Sequence, residues 1–143
     1  MRITKRDLKI LHLLEKNSGL SVKNISASTG VPISTVFRKK KRFEEEGIVK
    51  RYRAVLAPER IGEPFVVVFY INTSEDGFGR SVPDELKKIH DFKEIISVQG
   101  NWNLLVFART KTLKELRDLN DRIKELKGVQ DVKSELILSR EYL

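Results

Sequence analysis

Apolar residues in the first 47 positions recur every three or four residues in three separate runs. Beyond residue 64 they gather into short runs between turn residues, with one long helical repeat among them. The first spacing belongs to helices with one buried stripe, the second to strands. In "ITKRDLKILHLLEKN", Leu8, Leu11 and Leu14, with Ile10 and Leu13 beside them, predict a first helix ending near Asn17 to Gly19. Thr4 followed by Asp7 has the spacing of a capping box, with Asp in place of the usual Glu or Gln. Ser21 predicts the cap of a short second helix, "VKNISAST", with Val22, Ile25 and Ala27 inward, and Gly30 supplies a left-handed end. A third helix is expected from about Ile33 to Glu46, stopped by Gly47. After it, "IVKRYRAVL" alternates apolar and polar residues and reads as a strand with Lys50, Arg51 and Arg53 exposed.

The second part begins with "FVVVFYINTS", a β-branched and aromatic run expected to form a strand with a well-buried face. "SVPDELKKIHDF" predicts a short helix with Pro83 in its first turn. "KEIISVQG" and "WNLLVFARTK" predict two strands joined by a turn at "QGNWN". "TLKELRDLNDRIKELKG" is the clearest helix, with a capping box at Thr112 and Glu115, an inner stripe through Leu113, Leu116, Leu119 or Asn120, Ile123 and Leu126, and Gly128 at its end. "VQDVKSELILSREYL" closes as a strand. The order βαββαβ is that of a ferredoxin-like unit, one sheet with two helices on one face. The other face is then left bare, and a bare apolar sheet face predicts an interface, here with a second copy of the chain.

Charge divides the chain at the same place as the pattern. Residues 1–60 hold 15 Lys/Arg against 6 Asp/Glu, whereas residues 61–143 hold 13 against 14. The whole excess of +8 therefore sits in the first part. A surface rich in Lys and Glu for heat tolerance alone would not confine it to one end. We expect two domains, residues 1–60 for a polyanion and residues 61–143 for dimerisation, with a boundary near "PERIGEP".

The third helix shows which polyanion. At about 100° per residue, with Val36 at zero, Phe43, Ile33 and Phe37 fall on one side. Ser34, Thr35, Arg38, Lys39, Lys41 and Arg42 fall on the other, while Lys40 lies inside the apolar arc and must extend its ammonium outward along the core edge. Glu44 to Glu46 offset part of the cation repulsion through pairs such as Arg42 with Glu46. A short capped helix, a Gly turn and a basic helix with small polar residues at its start form a helix-turn-helix. In the major groove Ser34, Thr35 and Arg38 would meet base edges, and Lys39, Lys41 and Arg42 would neutralise phosphates.

These residues resemble the Lrp/AsnC, or feast/famine, transcriptional regulators. The similarity lies in "ITKRDLKILHLLEKN", in "LSVKNISASTGVPISTVFRKKKRFEEEGIVKRYRAVL", and in the ferredoxin-like order that follows, from about Ile3 to Tyr142. It departs at Pro32, where a capping Ser is usual, and at Lys40, where an aliphatic is usual. The resemblance implies double-stranded DNA with a palindromic operator as partner, a homodimer that assembles in relatives as far as an octamer, and an amino-acid-like effector. The effector turn of the family maps onto Gly100, Asn101, Trp102 and Asn103, with amides at both carboxylate positions. An amide offers a substrate ammonium only a neutral acceptor, so ordinary amino-acid sensing is expected to be weakened. As a plain β-turn the same residues would be equally at home.

No arrangement for catalysis stands out. His12 and His90 lack partners at metal-ligand spacing, there is no cysteine, and "GFG" lacks the setting of a nucleotide loop. We therefore expect no enzyme, no metal and no cofactor. The absence of cysteine, of an apolar run of about 18 residues and of a signal-like N-terminus predicts a cytoplasmic protein without a membrane span. The rival functions are a non-specific architectural protein that coats DNA and a metabolic protein binding small molecules through its ferredoxin-like half.

Overall fold

The computed structural model describes residues 2–74 and 81–143. The "GFG" of the expected loop lies outside the described residues. The chain forms two compact units, Met1–Val55 and Leu56–Tyr142.

In the first unit, three helices enclose a small core: α1 (Lys5–Lys16), α2 (Val22–Thr29) and α3 (Ile33–Glu45). Ile10, Leu14, Ile25, Val31, Val36 and Phe43 are buried together. Local rules account for the ends. The Ser21 hydroxyl accepts from the Asn24 N–H at 3.1 Å, and Gly30 takes φ 72°, where a side chain would be strained. The buried stripe of α1 runs through Asp7, Ile10 and Leu14, and Leu8, expected inside, is 44% exposed. Ala27 is exposed as well; Ser26 and Thr29 turn inward and bond the carbonyls of Val31 and Ile25. Residues 51–57 form no strand, contrary to the alternation of "IVKRYRAVL". Alternation marks one face of an extended chain, but a strand also needs a neighbour for its N–H and C=O groups.

The second unit is a four-stranded antiparallel sheet of order β2-β3-β1-β4, from β1 (Phe65–Thr73), β2 (Phe92–Ser97), β3 (Leu104–Thr110) and β4 (Val129–Leu136). Two helices, α4 (Ser81–Lys87) and α5 (Leu113–Lys124), complete the βαββαβ order. Val67, Phe69 and Ile71 of β1 and Leu104, Val106 and Ala108 of β3 point to the helices and meet Val82, Leu86, Leu119 and Ile123. The Thr112 hydroxyl accepts from the Glu115 N–H at 3.1 Å, but the Glu115 carboxylate accepts from Lys111 rather than closing a capping box. Leu113 is 46% exposed and drops out of the inner stripe.

Alternation puts Val66, Val68 and Tyr70 of β1 with Leu105, Phe107 and Arg109 of β3 on the opposite face. That face is not wholly bare. β4 stops at Leu136 rather than running to the end, and Arg140 beyond it lies 5.2 Å from the Phe107 ring centre and 3.6 Å from the Glu94 carboxylate.

Candidate nucleic-acid interface

The surface of α3 separates the candidate residues into two groups. Ser34, Arg38, Lys41 and Arg42 are exposed, Thr35 and Lys39 half-buried. Arg38 donates to the Thr35 hydroxyl at 3.5 Å, a long bond between two of the candidate side chains. Arg42 pairs with Glu46 at 2.7 Å, as the i, i+4 spacing predicts, and Lys41 stands 4.0 Å from Glu45. Both pairs are largely solvated, so their hold on the cations is weak. The first two and a half turns of α3 present cations and hydroxyls, while Glu44, Glu45 and Glu46 follow at the end. Only the N-terminal part of the helix suits a phosphate-lined groove.

Lys39 is committed elsewhere. It forms a short ion pair with the Asp7 carboxylate of α1, and the Asp7 side chain is only 3% exposed. Asp7 also accepts from the Thr4 N–H and hydroxyl, both at 2.8 Å, while the Thr4 hydroxyl accepts from the Asp7 N–H. Burial pushes this carboxyl up, but the Lys39 bond and the two Thr4 bonds outweigh it and hold its pKa at about 2. A residue expected on phosphates is thus the clasp between α1 and α3. Asp7 was read as a helix cap only, because its partner lies 32 residues away.

Lys40 resolves its place in the apolar arc in a related way. Its ammonium lies 5.1 Å from the centre of the Tyr52 ring, whose hydroxyl donates to Glu44 at 2.8 Å. Burial and the Glu44 carboxylate together push the Tyr52 phenol up to about 12.

Phe37 and Ile33 depart furthest from expectation. Both belonged to the predicted apolar face, yet Phe37 is 61% and Ile33 53% exposed. Only Val36 and Phe43 of α3 are buried. The core that the eight-residue α2 shares with α3 takes in Val36 and Phe43 but neither Ile33 nor Phe37.

In the second unit, the candidate effector turn splits as well. Ser97, Val98, Gln99, Gly100 and Asn103 line an open depression of about 550 Å³. Trp102 instead leans edge-on against Tyr70, ring centres 6.4 Å apart, and Asn101 is exposed. The Asn103 side chain bonds back to β1, accepting from the Thr73 N–H at 3.0 Å and its hydroxyl at 3.2 Å. Its amide therefore serves as a tie between turn and sheet. His12 and His90 are both exposed, and among the described residues no three acidic or histidine side chains gather to hold a metal ion. Among the same residues no helix is long and apolar enough to cross a membrane.

Comparison with known proteins agrees with this arrangement. Residues 3–50 match the family described as winged helix-turn-helix DNA-binding. The chain is 29% identical to the HTH-type transcriptional regulator FL11 of Pyrococcus furiosus, over 92% of this chain and 87% of that one. It is 26% identical to the leucine-responsive regulatory protein of Haemophilus influenzae, over 92% and 81% respectively. In fold it is similar to a feast or famine regulatory protein from M. tuberculosis solved with L-methionine, with a TM-score of 0.87, 22% identity and coverage of 99% and 96%. With a helix-turn-helix, a βαββαβ sheet and these relatives along nearly its whole length, the chain is similar in sequence to HTH-type and leucine-responsive transcriptional regulators and in fold to a feast or famine regulatory protein.

Proposed function

We propose that the protein is a sequence-specific transcriptional regulator that binds duplex DNA as a dimer, with α3 in the major groove. The single observation carrying this is the exposed N-terminal part of α3, where Ser34, Arg38, Lys41 and Arg42 share one surface opposite the buried Val36 and Phe43. Ser34, Thr35 and Arg38 meet base edges, Lys41 and Arg42 meet phosphates, and Lys39 supports the helix from behind through Asp7. The first unit is the DNA reader; the second dimerises through its open face and carries the regulatory site. On this reading the protein works in the cytoplasm, and its named relatives are regulators rather than enzymes.

Selection of bound sequences from random duplex DNA tests the proposal. An enriched palindrome is expected, and uniform recovery would make the protein a coat rather than a regulator. Arg38→Ala should cost about 1–3 kcal/mol on the enriched site and relax preference at one base position. Lys41→Ala should weaken all duplexes alike and reduce the salt slope by about one. Wild-type behaviour of both variants would remove α3 from the interface.

The depression beside Gly100 and Asn103 is proposed as the effector site, for an amino-acid-like ligand such as the L-methionine present in the M. tuberculosis relative. Asn103 is tied to Thr73, so Asn101 is the position at which charge can be restored without disturbing the sheet. Asn101→Asp should tighten amino-acid binding by about 1–2 kcal/mol through a charge-assisted bond. Asn103→Asp should instead lower stability, because its second oxygen would face the Thr73 carbonyl to which the amide now donates at 3.5 Å. Calorimetry against a panel of amino acids and thermal unfolding separate the two effects. Tight binding of an ordinary amino acid by the wild type would refute the argument from missing carboxylates.

A further inference from the structure

Phe37 and Ile33 stand one helical turn apart on the flank of α3 that faces water. Isolated exposed apolar side chains are ordinary on protein surfaces. This pair is different in its setting: the next positions along the same surface are Ser34, Arg38 and Lys41, all exposed. A protein partner would have to bury these cations along with the ring, and the two apolar side chains offer little area in exchange. The major groove of DNA meets both needs. Its phosphate rims answer the cations, and its floor carries one kind of apolar group, the 5-methyl of thymine.

We propose that Phe37, assisted by Ile33, is a specificity-determining contact for thymine methyl groups. The inference rests on the reading that α3 enters the major groove, and it adds what that helix selects. Four residues of helix advance about 6 Å along the axis, and base pairs are stacked about 3.4 Å apart, so the two side chains address base pairs no more than about two steps apart. Arg38, the next residue after Phe37, sits about 100° further around the helix and reads a different base edge. Phe37 thus supplies shape and apolar contact where the hydroxyls and the guanidinium supply hydrogen bonds. An exposed ring carries little of the folding energy, so its replacement leaves the core of Ile10, Ile25, Val36 and Phe43 in place.

The test uses the full chain and the duplex enriched by selection, with each thymine replaced in turn by deoxyuridine, which removes only the methyl group. Wild type should lose roughly fourfold in affinity for each methyl contacted, at one or two positions per half-site. Phe37→Ala should bind more weakly at unchanged salt slope and no longer distinguish thymine from deoxyuridine at those positions. Phe37→Leu should keep part of the discrimination, and unfolding curves should match wild type for both variants. Equal binding of the two duplexes by wild type, or full discrimination kept by Phe37→Ala, overturns the inference while leaving the DNA-binding reading intact. If Phe37→Ala changes only the association state, the patch is a protein contact and the inference also falls. Failure of the wild type to enrich or bind any duplex overturns both.

Discussion

Replacing Lys39 with Ala should lower the unfolding free energy by about 3 kcal/mol, more than any other single change to the basic surface of α3. The reason is Asp7, which Lys39 leaves behind as a buried carboxylate when it is removed. Breaking a buried ion pair from one side costs about 3–5 kcal/mol, and the 28% exposure of the Lys39 side chain admits some water, which places the loss at the low end. Urea unfolding measures it, and a loss below about 1 kcal/mol would show that the Thr4 bonds alone hold the carboxylate.

The same pair sets an acid dependence. Asp7 has an ordinary value of 3.8 and is held at about 2 in the folded protein, so the folded state binds the proton less readily than the unfolded chain. Its stabilisation is fully present above the unfolded value and is lost as pH falls from there through the folded one, amounting to about 2 kcal/mol. Lys39→Ala should flatten this part of the stability profile. Joint replacement, Asp7→Asn with Lys39→Met, should recover much of the loss, because it leaves no unpaired charge. On DNA, Lys39→Ala should keep the wild-type salt slope under conditions where the variant is folded, unlike Lys41→Ala. A reduced slope would return Lys39 to the phosphates.

The second large effect concerns the open sheet face. Leu105→Glu places a carboxylate beside Tyr70 and Ile96 in the middle of that face. If two copies meet there, the variant should sediment as a folded monomer and bind the palindrome at least ~100-fold more weakly, having lost the second half-site. Arg140, which lies over Phe107 and pairs with Glu94, covers one part of the face within the single chain. The patch formed by Leu105, Tyr70 and Ile96 lies further along the strands from that contact, which makes Leu105 the sharper probe. A wild-type monomer, or a variant that stays dimeric, would reject sheet-to-sheet assembly.

Much of the architecture was readable in one dimension because it follows from local rules. Ser21 and Gly30 bound α2, Gly47 follows α3, and the βαββαβ order follows from the change of apolar period after Pro64. The basic surface of α3 was equally legible, since Ser34, Arg38, Lys41 and Arg42 fall on one side at any reasonable helical pitch.

Contacts between distant residues were decided only by tertiary structure. A helical period shows which side of α3 is apolar, but not how much of that side the core takes in, and Phe37 and Ile33 emerged outside. It shows six cations and hydroxyls as equivalent, whereas Asp7, buried beside Ile10 and Leu14, singles out Lys39. Alternation in "IVKRYRAVL" describes a chain suited to a sheet and says nothing of whether a neighbouring strand is there to receive it. Asn103 reads as a turn amide until Thr73, 30 residues away, is brought beside it. In each case sequence determines what a side chain can bond to, and the fold determines which candidate is close enough, because hydrogen bonds and ion pairs act over only a few ångströms.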